Sequence, residues 1–196
     1  MISAEGETVQ FLHPFAFSST KVEEWLQRLE AAMKVTLKDM LQKALASHST
    51  TSRDDWILSW PAQVMLAANQ LIFAHKVTQS IQSGKLEMMK NYVLEKLEFL
   101  TSLAKADLSS VSRGTLKALL VLDVHNRDIA QLLCNSSVTS LNDFEWRGQL
   151  RYYMEEDTCV IKIINASFPY GYEYLGNTSR LVVTPLTQRC YRTLTR

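Results

Sequence analysis

Three cysteines, four prolines and six glycines are all that 196 residues contain of those types, and the scarcity excludes several function classes. Cys134, Cys159 and Cys190 are far apart, odd in number and without a close Cys or His partner. They fit reduced thiols in a cytosolic compartment better than a disulfide framework or a zinc site. No Gly-x-x-x-x-Gly-Lys-Ser/Thr, Gly-x-Gly-x-x-Gly, Gly-x-Ser-x-Gly or His-Glu-x-x-His occurs, so no phosphate loop, dinucleotide fingerprint, nucleophile elbow or zincin helix is present. His13, His48, His75 and His125 lie in different segments with no metal spacing, and no metal is expected. No apolar run approaches the roughly 20 residues that span a bilayer. The first residues, Met1 to Glu7, have neither the basic start nor the apolar run of a signal peptide. Twenty-one Lys and Arg against twenty Asp and Glu leave a net charge of +1 without single-sign blocks. Neither nucleic acid nor membrane is therefore expected as a partner, and a soluble intracellular protein is.

What is present is apolar content, 46% of the chain, enough to bury a core. Val9, Phe11, Phe15 and Phe17 alternate loosely around Pro14, which suggests an extended edge segment over 1–17. Val22, Trp25, Leu26, Leu29, Met33, Leu37, Met40, Leu41 and Ala44 then recur at helical spacing, and Thr20 with Glu23 reads as a capping box. The polar stretch Ser47 to Ser52 breaks the pattern before Trp56 to Trp60. Pro61 suits the first turn of a second helix carried by Val64, Leu66, Ala67, Leu71, Ile72, Ala74 and Val77 and ended by Gly84. Leu86, Met89, Val93, Leu94, Leu97, Leu100 and Leu103 give a third helix. Ser112 begins a fourth, carried by Leu116, Leu119, Leu120, Leu122, Val124, Ile129 and Leu132 to about Cys134. The fold class is mainly α, a bundle or stacked rod of long amphipathic helices, with Trp25, Leu29, Leu71, Leu97 and Leu120 expected inside.

A change of composition near residues 136–146 introduces a small β-containing segment. Cys159 to Ile164 is β-branched, Tyr170 to Asn177 ends in a Gly-Asn turn signal, and Leu181 to Thr184 reads as a short strand stopped by Pro185, followed by a helix-biased tail. The cluster Trp146-Arg147-Gly148-Gln149-Leu150-Arg151-Tyr152-Tyr153 has the residue types that stack on bases, but the balanced charge favours a packed segment with Arg stems over buried rings. Val124-His125-Asn126-Arg127-Asp128 is polar inside an apolar pattern, and an internal pair of Arg127 with a carboxylate is expected there. On these grounds alone the chain reads as a non-catalytic helical interaction scaffold with a β-rich appendix.

Several runs, taken in order, resemble the dynein heavy chains: Trp60-Pro61-Ala62-Gln63-Val64, Val124-His125-Asn126-Arg127-Asp128-Ile129, Phe144 to Tyr153, Tyr170 to Asn177, and Arg180-Leu181-Val182-Val183-Thr184-Pro185-Leu186-Thr187. The similarity begins at Ser3-Ala4-Glu5-Gly6-Glu7 and extends to the last residue. It implies a division into 1–17, an extended edge; 18–135, the helical carboxy-terminal part of the linker; and 136–196, the junction of the linker with the first AAA+ module. It also implies that the chain is a fragment, a truncated product or a degenerate relative of a longer motor, stopping before the phosphate-binding loop. Met154 stands where the family has Trp, Gln188 where it has Asp, and Phe73-Ala74-His75 replaces a Trp-Thr pattern, which puts fine packing and nucleotide-side contacts in doubt.

By that resemblance the intact protein is an ATP-driven microtubule motor whose linker transmits force, and this stretch is linker plus the adenine-side edge of the first ATP site. Leu181, Val182, Val183, Thr184, Pro185 and Leu186 are the implied cofactor-side residues. ATP is the implied cofactor of the intact motor, with no tight binding expected of these residues alone. The implied partners are the remainder of the dynein ring, intermediate and light intermediate chains and, indirectly, the microtubule. The implied location is cytoplasm and cytoskeleton, with the cilium axoneme favoured because most heavy chains are axonemal.

Overall fold

A computed structural model describes residues 1–14, 21–177 and 182–195. The described elements are α1 (Val22–Ser47), α2 (Arg53–Ser59), α3 (Ala62–Gln82), α4 (Leu86–Leu103), α5 (Ser110–Asn135), α6 (Phe144–Arg147), β1 (Arg151–Glu155), β2 (Thr158–Ile163), β3 (Ala166–Pro169) and α7 (Pro185–Leu194). The chain divides into two compact units, Met1–Ala68 with Gly171–Thr178, and Asn69–Tyr170 with Ser179–Arg196. The division falls inside α3.

In the first unit the amino terminus folds back on itself. The Val9 N–H donates to the Met1 carbonyl at 2.8 Å, Ile2 bridges Thr8, and Gly6 turns the chain at φ +83°. This short closed loop stands where an extended edge was expected; Phe15, Phe17 and the Thr20 half of the capping box lie outside the described residues. The second half of α1 buries Thr36, Leu37, Leu41 and Ala44, whereas Trp25 and Leu29 are half-buried and Val22 and Leu26 exposed. The polar break after Ser47 is followed by the short helix α2, which the sequence pattern did not separate. Ser52 caps it by accepting from the Asp55 N–H at 3.3 Å, with Asp54 and Asp55 on its positive end. Trp56 folds α2 back on α1, donating from Nε1 to the Ala44 carbonyl at 2.7 Å and meeting His48 edge-on at 4.8 Å. Pro61 sits one place earlier than expected, in the capping position, where its carbonyl accepts from the Met65 N–H at 2.9 Å. From Ala62 to Leu71 every α3 residue is buried, the polar Gln63, Asn69 and Gln70 included.

In the second unit α3 ends at Gly84, whose φ of +68° lets the Lys85 N–H reach back to the Ser80 carbonyl at 2.8 Å. Helix α4 packs along α5. Ser109 caps α5, accepting from the Ser112 N–H at 3.1 Å. A core of Phe73, Val77, Ile81, Met89, Val93, Ile129, Leu133, Val138 and Trp146 joins these helices to α6. Of the five side chains expected inside, Leu71 is buried and Trp25, Leu29, Leu97 and Leu120 are half-buried. Arg127 does pair with a carboxylate, Asp128 at 2.7 Å, but at the surface; the buried acid of α5 is Asp123.

The β part is a three-stranded antiparallel sheet in the order β1-β2-β3. Glu155 opposes Thr158, and the two residues between them, Glu156 and Asp157, both have positive φ, the geometry of a tight primed hairpin turn. Ile164, between β2 and β3, also has positive φ (+51°), uncommon for a β-branched residue; its N–H is held by the Arg147 carbonyl at 2.7 Å. Val182, Val183 and Thr184 do not form the expected strand. Thr184 instead caps α7, because a Thr-Pro step pre-sets a helix start more strongly than three β-formers without a partner strand set an extended one. Among the described residues no helix is long and apolar enough to cross a membrane.

Candidate functional site

The segment proposed from sequence to face a nucleotide runs from Leu181 to Leu186. Leu181 lies outside the described residues. Val182 and Leu186 stand out from the protein, 58% and 70% exposed, Val183 is half-buried, and Thr184 and Pro185 are exposed. Two reciprocal bonds fix the turn: the Thr187 N–H donates to Thr184 Oγ1 at 3.3 Å, and the Thr184 N–H donates to Thr187 Oγ1 at 2.7 Å, with Pro185 in the first helical position. Two apolar side chains are thus presented at a rigid corner. Such a corner can press against a flat apolar surface and offer backbone groups, and nothing in it carries charge.

Helix α7, which follows the corner, buries none of its residues and is held by polar contacts instead. Arg192 Nε donates to the Gly148 carbonyl at 3.0 Å, and its guanidinium lies 5.2 Å from the centre of the Phe144 ring. Gly148 leaves room for it, since a Cβ there would come within 2.9 Å of Arg192 Nε. Gln188 Nε2 donates to Gln149 Oε1, and the buried Gln149 amide donates in turn to the Glu145 carbonyl at 2.8 Å. These contacts tie α7 to the bend between α6 and β1. Gln188, which departs from the family pattern, makes one of them, so its amide has a structural use.

The Trp146 to Tyr153 cluster is occupied internally. Arg151 lies 5.9 Å from both the Trp146 and Tyr153 ring centres, and Lys162 5.8 Å from Tyr153. Trp146 is 1% exposed. This is the packed arrangement, with cations beside the Trp146 and Tyr153 rings. Among the described residues no group of three or more His, Cys, Asp or Glu is placed to hold a metal ion. The sequence reading named Asn126 only within a polar run and missed Asn69, Lys96 and Asp123, with which it clusters. Asp123 Oδ1 accepts from Asn69 Nδ2 at 2.9 Å and Asn126 Nδ2 at 3.0 Å, tying α3, α4 and α5 together with Lys96. Asp and Asn three apart inside an apolar helix pattern were the signal available.

Two family descriptions match parts of the chain. Residues 1–44 match the dynein heavy chain, N-terminal region 2, and residues 170–196 match the hydrolytic ATP binding site of the dynein motor region. Human dynein axonemal heavy chain 1 is 42% identical over 196 residues, 100% of this chain and 5% of its own length. Human dynein axonemal heavy chain 3 is 39% identical over 99% of this chain and 5% of its own length. Mouse dynein axonemal heavy chain 12 is 39% identical over 99% of this chain and 6% of its own length.

Proposed function

Because this chain belongs to the dynein heavy chain family, spanning 5% of the length of the heavy chain 1 and 3 relatives it matches, we propose that it serves as linker and nucleotide-side edge of a microtubule motor. Residues 18–135 are the carboxy-terminal part of the linker, preceded by the segment 1–17, and 136–196 join it to the first AAA+ module. Helices of 26, 21, 18 and 26 residues suit a stiff lever, since a helix rises about 1.5 Å per residue and bends little over that length. The partners are the remainder of the ring, intermediate and light intermediate chains and, through them, a microtubule. The ciliary axoneme is the proposed location, from the axonemal relatives.

The observation that carries the nucleotide-side reading is the pair of exposed apolar side chains, Val182 and Leu186, at a capped corner inside the stretch that matches the ATP-binding region. Leu181 to Leu186 contact adenine, Val182 and Leu186 by packing on the purine face and the intervening backbone by bonding to its edge. The residues present suit the purine half of ATP. The phosphates need amides and a lysine of a kind the sequence does not contain. Adenosine titrated into the chain up to about ten millimolar, followed by NMR, should shift signals of residues 182–187 and few others. No shift there, or equal shifts throughout the chain, would refute the assignment.

A further inference from the structure

One cluster joins the two stretches matched by the family descriptions, and it lies within the first unit. Glu7 is 8% exposed. Its Oε1 accepts from the Ala62 N–H at 2.8 Å, at the start of α3, and its Oε2 accepts from the Tyr174 hydroxyl at 2.8 Å. The carboxylate therefore uses both oxygens, one on a helix amide and one on a phenol.

Beside it Gln63, 6% exposed, grips the same segment through the backbone. Its Nε2 donates to the Glu173 carbonyl at 2.6 Å, and its Oε1 accepts from the Leu175 N–H at 2.8 Å. A single side-chain amide thus supplies both bonds that a neighbouring strand would give to residues 173 and 175. Between them the Tyr174 N–H points at Met33 Sδ, 3.2 Å away. One residue further on, Gly176 has φ +65°, and a Cβ there would lie 2.4 Å from the Ser3 Cβ. Burial and then the Glu7 carboxylate push the Tyr174 phenol upward, so it remains a donor at neutral pH.

A segment without regular structure is therefore held by four side chains, from Glu7, Met33, Gln63 and Tyr174 itself. We propose that Glu7, Gln63 and Tyr174 form a releasable latch that couples the amino-terminal region to the segment entering the nucleotide-side edge. Four residues of sequence, 178–181, separate Asn177 from Val182. Irregular backbone fastened by side chains opens locally at lower cost than a helix or sheet, because losing a few polar contacts frees it without unfolding the core. The latch is accordingly the place where movement on the nucleotide side reaches the start of α3. This deepens the reading above, resting on it for what the latch serves and standing apart from it for whether the latch exists.

The test is amide hydrogen exchange on the whole chain without nucleotide. Gln63→Met keeps the length of the side chain and removes both backbone bonds; exchange at the Leu175 amide should rise about tenfold or more, while amides of β2 keep their protection. Tyr174→Phe removes only one hydroxyl and should raise exchange at the same amide severalfold, which keeps the proposal falsifiable if Gln63→Met folds poorly. Gly176→Ala should act in the same direction by pushing the segment off Ser3. Unchanged exchange at Leu175 in folded variants, or a rise matched by β2, overturns the latch. Exchange at Leu175 and adenosine shifts at 182–187 can each fail alone, so the two readings are separately refutable.

Discussion

Lys96 on α4 places its ammonium nitrogen 3.0 Å from Oδ2 of Asp123 on α5, and Asp123 is 1% exposed. Asn69 of α3 and Asn126 converge on the same carboxylate, with Asn69 Oδ1 accepting from Lys96. A buried charge met by a cation and two amides specifies how three helices register, since sliding any helix by one turn would strand the carboxylate.

Asp123→Ala should cost about 3–5 kcal/mol, because it leaves the Lys96 ammonium without its counter-charge and the Asn69 and Asn126 amide N–H groups without their acceptor. Urea unfolding gives the measurement. A loss below about 1 kcal/mol would mean that water satisfies the cluster and that it fixes nothing.

Trp146→Ala should destabilise by about 3–5 kcal/mol, the usual range for emptying a buried aromatic site. Trp146 lies in the core formed with Phe73, Val77 and Leu133, and Arg151 packs against its ring. The melting temperature should fall and cleavage near Asn135 should quicken. An unchanged melting curve and unchanged cleavage would show that the bend between helices and sheet does not depend on this ring.

Much of this was legible in the sequence and some was not, for reasons that particular residues make plain. Apolar period located α1, α3, α4 and α5 because each has a stripe to bury, and Gly84 marked a stop because its positive φ admits few other residues. Helix α2 escaped because seven residues give too little period to read. The inward polar residue of α5 was misplaced from Asp123 to Arg127, since periodicity places a face but not which polar neighbour finds partners. The strand read at Leu181 to Thr184 rested on β-branched composition, which a local Thr-Pro cap outweighs over Val182–Thr184. Gln63 and Glu7 were invisible as functional residues because their partners between residues 173 and 175 lie more than a hundred residues away in sequence.

Alkylation of the native chain should label Cys190 first, Cys134 more slowly and Cys159 only on unfolding. Cys190 is exposed, while burial raises the Cys134 thiol and pushes Cys159 up to about 12. The thiolate is the reacting form, so the raised Cys134 and Cys159 thiols are slowed by burial and by lowered acidity together. Mass spectrometry of timed samples decides it, and early modification of Cys159 would contradict the sheet packing around β2.

Stability should fall as the solution is acidified through the range just below the ordinary histidine value, in part through His125. Burial holds its pKa below that value, with Asp128 opposing more weakly. A depressed folded pKa means that the unfolded chain binds the proton more readily, so the contribution is full above the unfolded value and is lost as pH drops through the folded one. His125→Gln should flatten this part of the stability profile. A profile of identical slope in the variant would assign the loss to other groups.

Magnesium-ATP should bind the chain no more tightly than adenosine does, with a dissociation constant no better than about a millimolar, or about 4 kcal/mol. Affinity in phosphate-loop proteins rests heavily on backbone amides and a lysine around the phosphates, with magnesium held by a hydroxyl and an acid. No such loop occurs in the 196 residues. What Val182 and Leu186 offer is exposed apolar surface at the capped start of α7. Burying part of two aliphatic side chains gains at most a few kcal/mol before the cost of immobilising the ligand is subtracted. Removing the phosphates from the ligand therefore removes nothing that the chain holds, and the two ligands should give superimposable titrations by calorimetry. A micromolar constant for magnesium-ATP with a millimolar one for adenosine would mean that the chain carries phosphate ligands outside the segment described here.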